Sequence, residues 1–286
     1  MQSLVNWNAI QELNSRSLPG GTLSEKDANE MWSRVAKMYD FMAELEKEYT
    51  LNQVNAMKLD KEDSVIDIGC GIGRLTVPIA HRVRKVTALD VADKMLEICK
   101  INVEKAGLDN VDYKKLDWNA TDSNTSIEKH DIAFASRSVG LRDIIKLNNT
   151  AIKYAYLLSF TGYPSLRDVQ MEMLTGIRGI TKRQVNEEQS RMFGYNITFN
   201  LLYDLGIDPM VQVVEDGFER TYESKEEAYD DLRQVTVELS DNPDLTDEEE
   251  RLFQRNVDEY ITYTDGKYRF LRNTKTFVIG WKPITL

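Results

Sequence analysis

The sequence is poor in the residues that build metal sites and disulfide frameworks, with two cysteines and two histidines among 286 residues. No His/Cys pairing stands at metal-ligand spacing, so a protein-bound zinc site is not expected and no metal is assigned. Cys70 lies inside a glycine-rich run and Cys99 on a predicted helix, and neither reads as half of a disulfide. No stretch approaches the ~18 uninterrupted apolar residues that a membrane helix needs. The start, Met1 to Asn8, lacks the basic opening and apolar core of a signal peptide. A cytoplasmic location with no membrane partner is therefore expected. Positive charge is not in excess either: the formal net charge is −11. Phosphate backbones are normally met by a basic surface, so nucleic acid is not an expected partner.

The negative charge is local. Between Glu215 and Tyr260 stand 17 acidic and 5 basic residues, while the remainder holds 30 acidic and 31 basic. A near-neutral body thus carries one acidic appendage, read as solvated helix faces.

Hydrophobic periodicity lays out the elements. Ser24, with Asp27 three residues on, caps a helix whose apolar stripe is Met31, Val35, Met38, Met42 and Leu45, flanked by Trp32 and Tyr39. Leu18 to Gly21 before it reads as a turn or mobile loop. The centre then alternates strands at Ser64 to Ile68, Lys85 to Asp90, Val111 to Leu116, Asp131 to Ala135 and Tyr154 to Phe160 with helices at Arg74 to His81 and Asp93 to Ala106. That rhythm predicts right-handed crossovers and a parallel sheet. Beyond it, Ser165 to Arg191 reads as an inserted, partly helical segment. A helix over Asn196 to Leu205 and a strand over Met210 to Val214 follow. Two capped amphipathic helices come next, one lined by Ala228, Leu232, Val235 and Leu239, the other by Phe253, Val257, Tyr260 and Ile261. A last strand is expected over Lys275 to Trp281.

The chemistry is concentrated in Val65-Ile66-Asp67-Ile68-Gly69-Cys70-Gly71-Ile72-Gly73-Arg74, a strand running through D-x-G-x-G-x-G into a helix. Glycines let the backbone turn sharply and approach a ligand without Cβ collisions. The helix start offers free N–H groups to polar ligand atoms. A nicotinamide dinucleotide fold shares this architecture but wants G-x-G-x-x-G. Counting from Gly71 the third position is Thr76, and from Gly69 it is Arg74, so neither frame fits. Asp67 also sits where a cationic amino group would be welcome and a pyrophosphate would not.

With these residues the sequence resembles the class I S-adenosylmethionine-dependent methyltransferases, over roughly Asp60 to Phe160 and again at Lys275 to Trp281. The resemblance implies S-adenosylmethionine as cofactor. It places Asp67, Gly69, Cys70, Gly71, Gly73, Asp90, Val91, Met95, Asp117, Trp118 and Ser136 around it. Asp90 would hold the ribose hydroxyls, since one carboxylate can accept both; Asp117 would accept from the adenine amine, with Trp118 packing the ring. Tyr39 reads either as the tyrosine many relatives fold over the methionine end or as a core residue. The expected fold is α/β, doubly wound, with a mostly parallel seven-stranded sheet whose last strand is antiparallel. A helical lid comes from the N-terminus and late insertions: residues 1–58 form the N-terminal part. Residues 59–286 form the Rossmann-like catalytic domain, with insertions at about 162–195 and 222–268.

The methyl acceptor is less legible. After the fourth strand stands Ala135-Ser136-Arg137-Ser138-Val139-Gly140, without the Pro-Pro-aromatic motif of enzymes that methylate base or amide nitrogens. His81 and His130 are poorly placed for a catalytic base. The expectation is a small-molecule acceptor, held by proximity and orientation. Arg137 and Tyr39 are the candidate catalytic residues. An anionic group on the acceptor would be gripped by Arg137, with Arg178, Arg183 and Arg191 nearby, because a guanidinium fork suits carboxylate or phosphate. The alternative is that these arginines pair with neighbouring acids. Alternative acceptors are a protein or tRNA, and a third reading is a non-catalytic S-adenosylmethionine-binding protein. The late segments could instead serve extra packing or a homodimer interface.

Overall fold

A computed structural model describes residues 5–7, 9–10, 23–120, 127–162, 164–181, 194–236 and 244–285. The expected loop at Leu18 to Gly21, and Arg183, Arg191 and Leu239, lie outside them.

Two helices open the described chain, α1 (Glu25–Leu45) and α2 (Lys47–Asn55). The Ser24 side chain accepts from the Asp27 backbone N–H, as the cap signal predicts. The α/β body follows: β1 (Ser64–Ile68), α3 (Thr76–Ala80), β2 (Lys85–Asp90), α4 (Asp93–Lys105), β3 (Val111–Lys115), β4 (His130–Ser136), α5 (Ile144–Thr150) and β5 (Ala151–Phe160). Then come α6 (Leu166–Met173), α7 (Tyr195–Asp204), β6 (Met210–Tyr222), α8 (Lys225–Thr236), α9 (Asp247–Asp258), β7 (Ile261–Thr264) and β8 (Lys267–Trp281). The helix expected from Arg74 begins only at Thr76, because Gly73 at φ 87° still belongs to the preceding turn. Among the described residues, no helix is long and apolar enough to cross a membrane.

The sheet runs β3-β2-β1-β4-β5-β8-β6, with β7 paired to β8 off that path. Strands β1 to β5 are parallel; β8 is antiparallel to β5 and to β6. The seven expected strands are thus present, with an eighth added. Period-two alternation feeds a core on each face. Ile66, Ile68, Ala133, Ala135 and Leu157 pack with Leu147, Leu201 and Leu202 on one side. Val65, Ile132, Phe134, Tyr156 and Leu158 pack with Val54, Leu75 and Ile79 on the other.

The late strands are much longer than their apolar cores suggested. β6 and β8 stay in register from Met210↔Gly280 to Tyr222↔Tyr268. β5 ends at Phe160, opposite Thr276. The outer halves of β6 and β8 therefore overhang the carboxyl end of β5, the side on which open α/β sheets bind ligands. A third core forms on this overhang, where Phe218, Tyr222 and Phe270 pack with Met42 and Leu45 of α1, Val169 and Met173 of α6, Leu232 of α8 and Phe253 of α9. The extra strand β7 joins β8 through Asp265 (φ 53°) and Gly266 (φ 81°), a two-residue hairpin turn needing two positive φ angles.

Candidate active site

At the carboxyl end of β1 the chain turns through Gly69, Cys70, Gly71 and Gly73. The Gly69 and Cys70 N–H groups donate to the Leu89 carbonyl at 2.8 and 2.9 Å, hooking the loop onto β2. A Cβ on Gly69 would stand 2.6 Å from the Ser138 Cβ, and one on Gly73 would stand 2.8 Å from the Cys99 Sγ. These two glycines allow close packing. Gly71, at φ 54°, differs: among the described residues, the only neighbour of a Cβ there is the Met95 Sδ at 4.0 Å. Its open face is the one a ligand can approach.

Asp90, at the end of β2, is 8% exposed. Its Oδ2 accepts from the Gly71 N–H and its Oδ1 from the Ala92 N–H, both at 2.9 Å. The carboxylate therefore ties the glycine loop to the start of α4. Each oxygen retains a lone pair for a further donor. Burial raises its pKa, opposed by these backbone bonds.

Asp67 is buried beneath the loop, and Thr76 Oγ1 donates to its Oδ2 at 2.7 Å. Burial pushes its carboxyl up to about 7, against the Thr76 bond and the charge of Arg74. A ligand ammonium beside it would restore the ionised form. We therefore predict that S-adenosylhomocysteine binding at about pH 6 releases a proton. Affinity should rise up to about tenfold per pH unit below 7 and level off above it, where the carboxylate is already ionised. Calorimetry in buffers of different ionisation enthalpy reads this directly. An Asp67→Asn variant should lose the dependence, and absence of proton release in the wild type would remove Asp67 from the site.

On β3's far side, Asp117 Oδ1 accepts from the Asn119 N–H at 2.9 Å, which bends the chain and leaves Oδ2 for a ligand. Trp118 is 2% exposed and packs within the core that includes Leu89 and Leu147. Lys146 donates to its carbonyl and lies 4.3 Å from its ring centroid. His130 lies at the opposite, amino end of β4, bonded at 2.8 Å to Thr87 Oγ1 and to the Glu128 carbonyl; burial lowers its pKa. It is a structural histidine. His81 caps the end of α3.

Helix α1 lies across this loop. Trp32, Val35, Ala36 and Tyr39 pack against Ile72, Ala92 and Met95. Asn102 of α4 donates both to Asp40 Oδ1 at 3.1 Å and to the Ile72 carbonyl at 3.0 Å. Tyr39 meets the Trp32 ring edge-on at 5.9 Å. Burial, then the charge of Glu46, raises its phenol pKa. At neutral pH it is a hydrogen-bond donor, not a base.

Arg137 follows β4 with a left-handed φ of 51°, an unusual conformation for a residue with a side chain and one that clusters at functional sites. Its Nη1 donates to both Glu46 oxygens at 2.9 and 2.7 Å. Its Nη2 donates to Asp216 Oδ2 at 2.5 Å and Thr276 Oγ1 at 3.0 Å. The guanidinium carbon lies 3.5 Å from the Phe160 ring centroid. An anionic acceptor would have to displace one of these carboxylates. Arg178 likewise pairs with Glu249 at 3.5 Å. Beside Arg137, Arg74 Nη2 donates to Gln53 Oε1 at 3.1 Å and Ser136 Oγ at 3.3 Å, and its Nη1 lies 3.4 Å from Glu46.

Sequence reasoning missed Glu46, Arg74, Gln53 and Asp216. Each reads as an ordinary polar residue. Only Arg74, directly after the glycine motif, carried a positional signal.

Residues 65–151 match the model of a family described as a methyltransferase domain. A protein of Haemophilus influenzae, itself uncharacterized, is 28% identical over 189 residues, covering 64% of this chain and 66% of that protein. An S-adenosyl-L-methionine-dependent Diels-Alderase of Neonectria sp. is 35% identical over 95 residues, 32% of this chain and 38% of the relative. The chain thus spans less than two thirds of either relative's length. Among solved structures, the 4+2 cyclase SpnF has a TM-score of 0.55 at 12% identity, covering 92% of this chain and 98% of that one. That likeness shows the fold alone.

Proposed function

Because this chain carries a methyltransferase domain of the class I, S-adenosylmethionine-dependent family, we propose that it binds S-adenosylmethionine at the glycine loop and passes its methyl group to a small molecule. The observation that carries this reading is the juxtaposition of the open Gly71 face with the carboxylates of Asp90 and Asp67. Two carboxylates at strand ends suit a ligand bearing ribose hydroxyls and an ammonium, and they would repel a pyrophosphate.

When bound, S-adenosylmethionine supplies an electrophilic methyl group on a sulfonium. The protein's own residues would do the rest. Asp90 would hold the ribose, Asp117 the adenine amine and Asp67 the amino end, while Gly71 and Met95 border the cofactor. Tyr39 would cover the methionine end as a neutral donor, and α1 would keep water from it. Ser136 and Arg137 mark the end of β4, beside the loop. Since Arg137 is already paired and Tyr39 is a poor base, catalysis would rest on orientation and suits an acceptor that arrives nucleophilic.

A second reading is a cofactor-binding protein that does not turn the cofactor over; the Neonectria relative is named for cyclisation, as an S-adenosyl-L-methionine-dependent Diels-Alderase, and not for methyl transfer. Incubation with S-adenosylmethionine and a metabolite panel separates the two. Methyl transfer yields S-adenosylhomocysteine in step with a methylated product; binding without turnover yields neither. Thermal stability should rise with S-adenosylhomocysteine and not with NAD, because a ligand stabilises only the state it binds. The reverse pattern would overturn the cofactor assignment.

A further inference from the structure

Four charged side chains from four distant segments meet out of water beside the glycine loop. Glu46 and Asp216 are 3% and 1% exposed, and Arg74 and Arg137 lie between them. Two positive and two negative charges balance, and Gln53 Nε2 and Thr276 Oγ1 add bonds to Asp216 at 3.0 and 2.5 Å. Glu46 has a special place in this group. It stands at the junction of α1 and α2, and it touches both Arg74, the first residue past the glycine motif, and Arg137, the first past β4.

Glu46 also lies two helical turns beyond Tyr39, so the two occupy one side of α1. The helix is pinned at its other end, where Asn29 exchanges bonds of 3.0 and 2.9 Å with Asp93. That amino-terminal pin is solvent-exposed and worth little; the Glu46 pin is buried, where losing one partner leaves unpaired charge. Apolar packing on Ile72 and Met95 and the Asp40–Asn102 bond hold the middle of α1, and Glu46 fixes its carboxyl end by buried charge, on the side that carries Tyr39.

We propose that Glu46 is a positioning residue for the cofactor. By clamping Arg74 and Arg137 it holds the glycine loop and the end of β4 in register with α1, so that the N-terminal helices form one wall of the cofactor site. This rests on the S-adenosylmethionine reading above.

The test compares Glu46→Gln with Asp63→Asn. Asp63 is a buried carboxylate at the amino end of β1, paired with Lys153 at 2.5 Å and remote from the loop. Both substitutions should lower thermal stability. Only Glu46→Gln should weaken S-adenosylhomocysteine binding, by tenfold or more in calorimetry, and speed hydrogen exchange across residues 25–55. Equal affinity in Glu46→Gln and wild type, or equal losses in the two variants, would overturn the proposal. Should Glu46→Gln fail to fold, Glu46→Asp carries the same test: it keeps the charge but shortens the reach, and should cost several-fold in affinity, whereas no loss would refute the role. A wild type that does not bind S-adenosylhomocysteine would instead overturn the cofactor reading, and this proposal with it.

Discussion

Asp90→Ala should bind S-adenosylhomocysteine about 100-fold more weakly than the wild type, the largest single loss expected at the cofactor site. Hydrogen bonds to a charged acceptor contribute about 1.5–3 kcal/mol, and each 1.4 kcal/mol is tenfold in affinity. The structure argues for the upper part of that range. The two Asp90 oxygens also hold the Gly71 and Ala92 N–H groups, so the substitution would remove the proposed ribose partner and loosen the loop together. The fold should survive, because the strand core beneath, Ala88 and Leu89, is untouched. Calorimetry with circular dichroism as the folding check measures both. A folded Asp90→Ala variant with unchanged affinity would exclude this carboxylate from the site.

The second large effect is on stability. Arg137→Ala should destabilise the protein by about 3–5 kcal/mol, the cost of leaving buried charges without a partner, here Glu46 and Asp216. Chemical denaturation gives the figure. Had Arg137 served only to hold an anionic acceptor, its removal would leave stability nearly unchanged and move only the acceptor KM. A stability change under about 0.5 kcal/mol, the range of ordinary surface substitutions, would show that the ion-pair cluster is not what Arg137 is for.

Local signals in the sequence were reliable where the physics is local. The Ser24 cap, the near-continuous apolar runs of β1 and β4 and the acid closing β2 each depend on residues within a few positions of one another, and each is present in the structure. The family glycine loop was legible for the same reason. The Arg137 environment was not: its partners are 91, 79 and 139 positions away, and nothing in the neighbourhood of Glu46 or Asp216 marks them as buried. Chain topology alone brings them together, as β8 and β6 carry Thr276 and Asp216 to the carboxyl end of β5.

The length of that hairpin was also hidden. Past Val214 the inward and outward sides of β6 include Glu215, Asp216 and Glu219, which break the apolar alternation used to recognise strands. Pairing with β8 and the helical cover overrides composition there. The turn of a second hairpin, β7 to β8, is written locally: Asp265-Gly266 between Tyr263 and Tyr268, the tyrosines paired across the turn with rings 4.9 Å apart, is a strong short-range hairpin mark. Trp118 shows the opposite difficulty. Its motif position implies a ring packed beside the adenine, and its burial in the core beneath α5, which meets it through Lys146, could not be read from the sequence.

A crystal structure of the protein with S-adenosylhomocysteine would decide whether the glycine loop, Asp90 and Asp67 together hold S-adenosylmethionine. Ligand density is expected against Gly71, with the ribose hydroxyls on Asp90, the amino group toward Asp67 and Tyr39 of α1 over the homocysteine end. Ligand bound elsewhere, or a ribose that makes no bond to Asp90, would contradict this assignment.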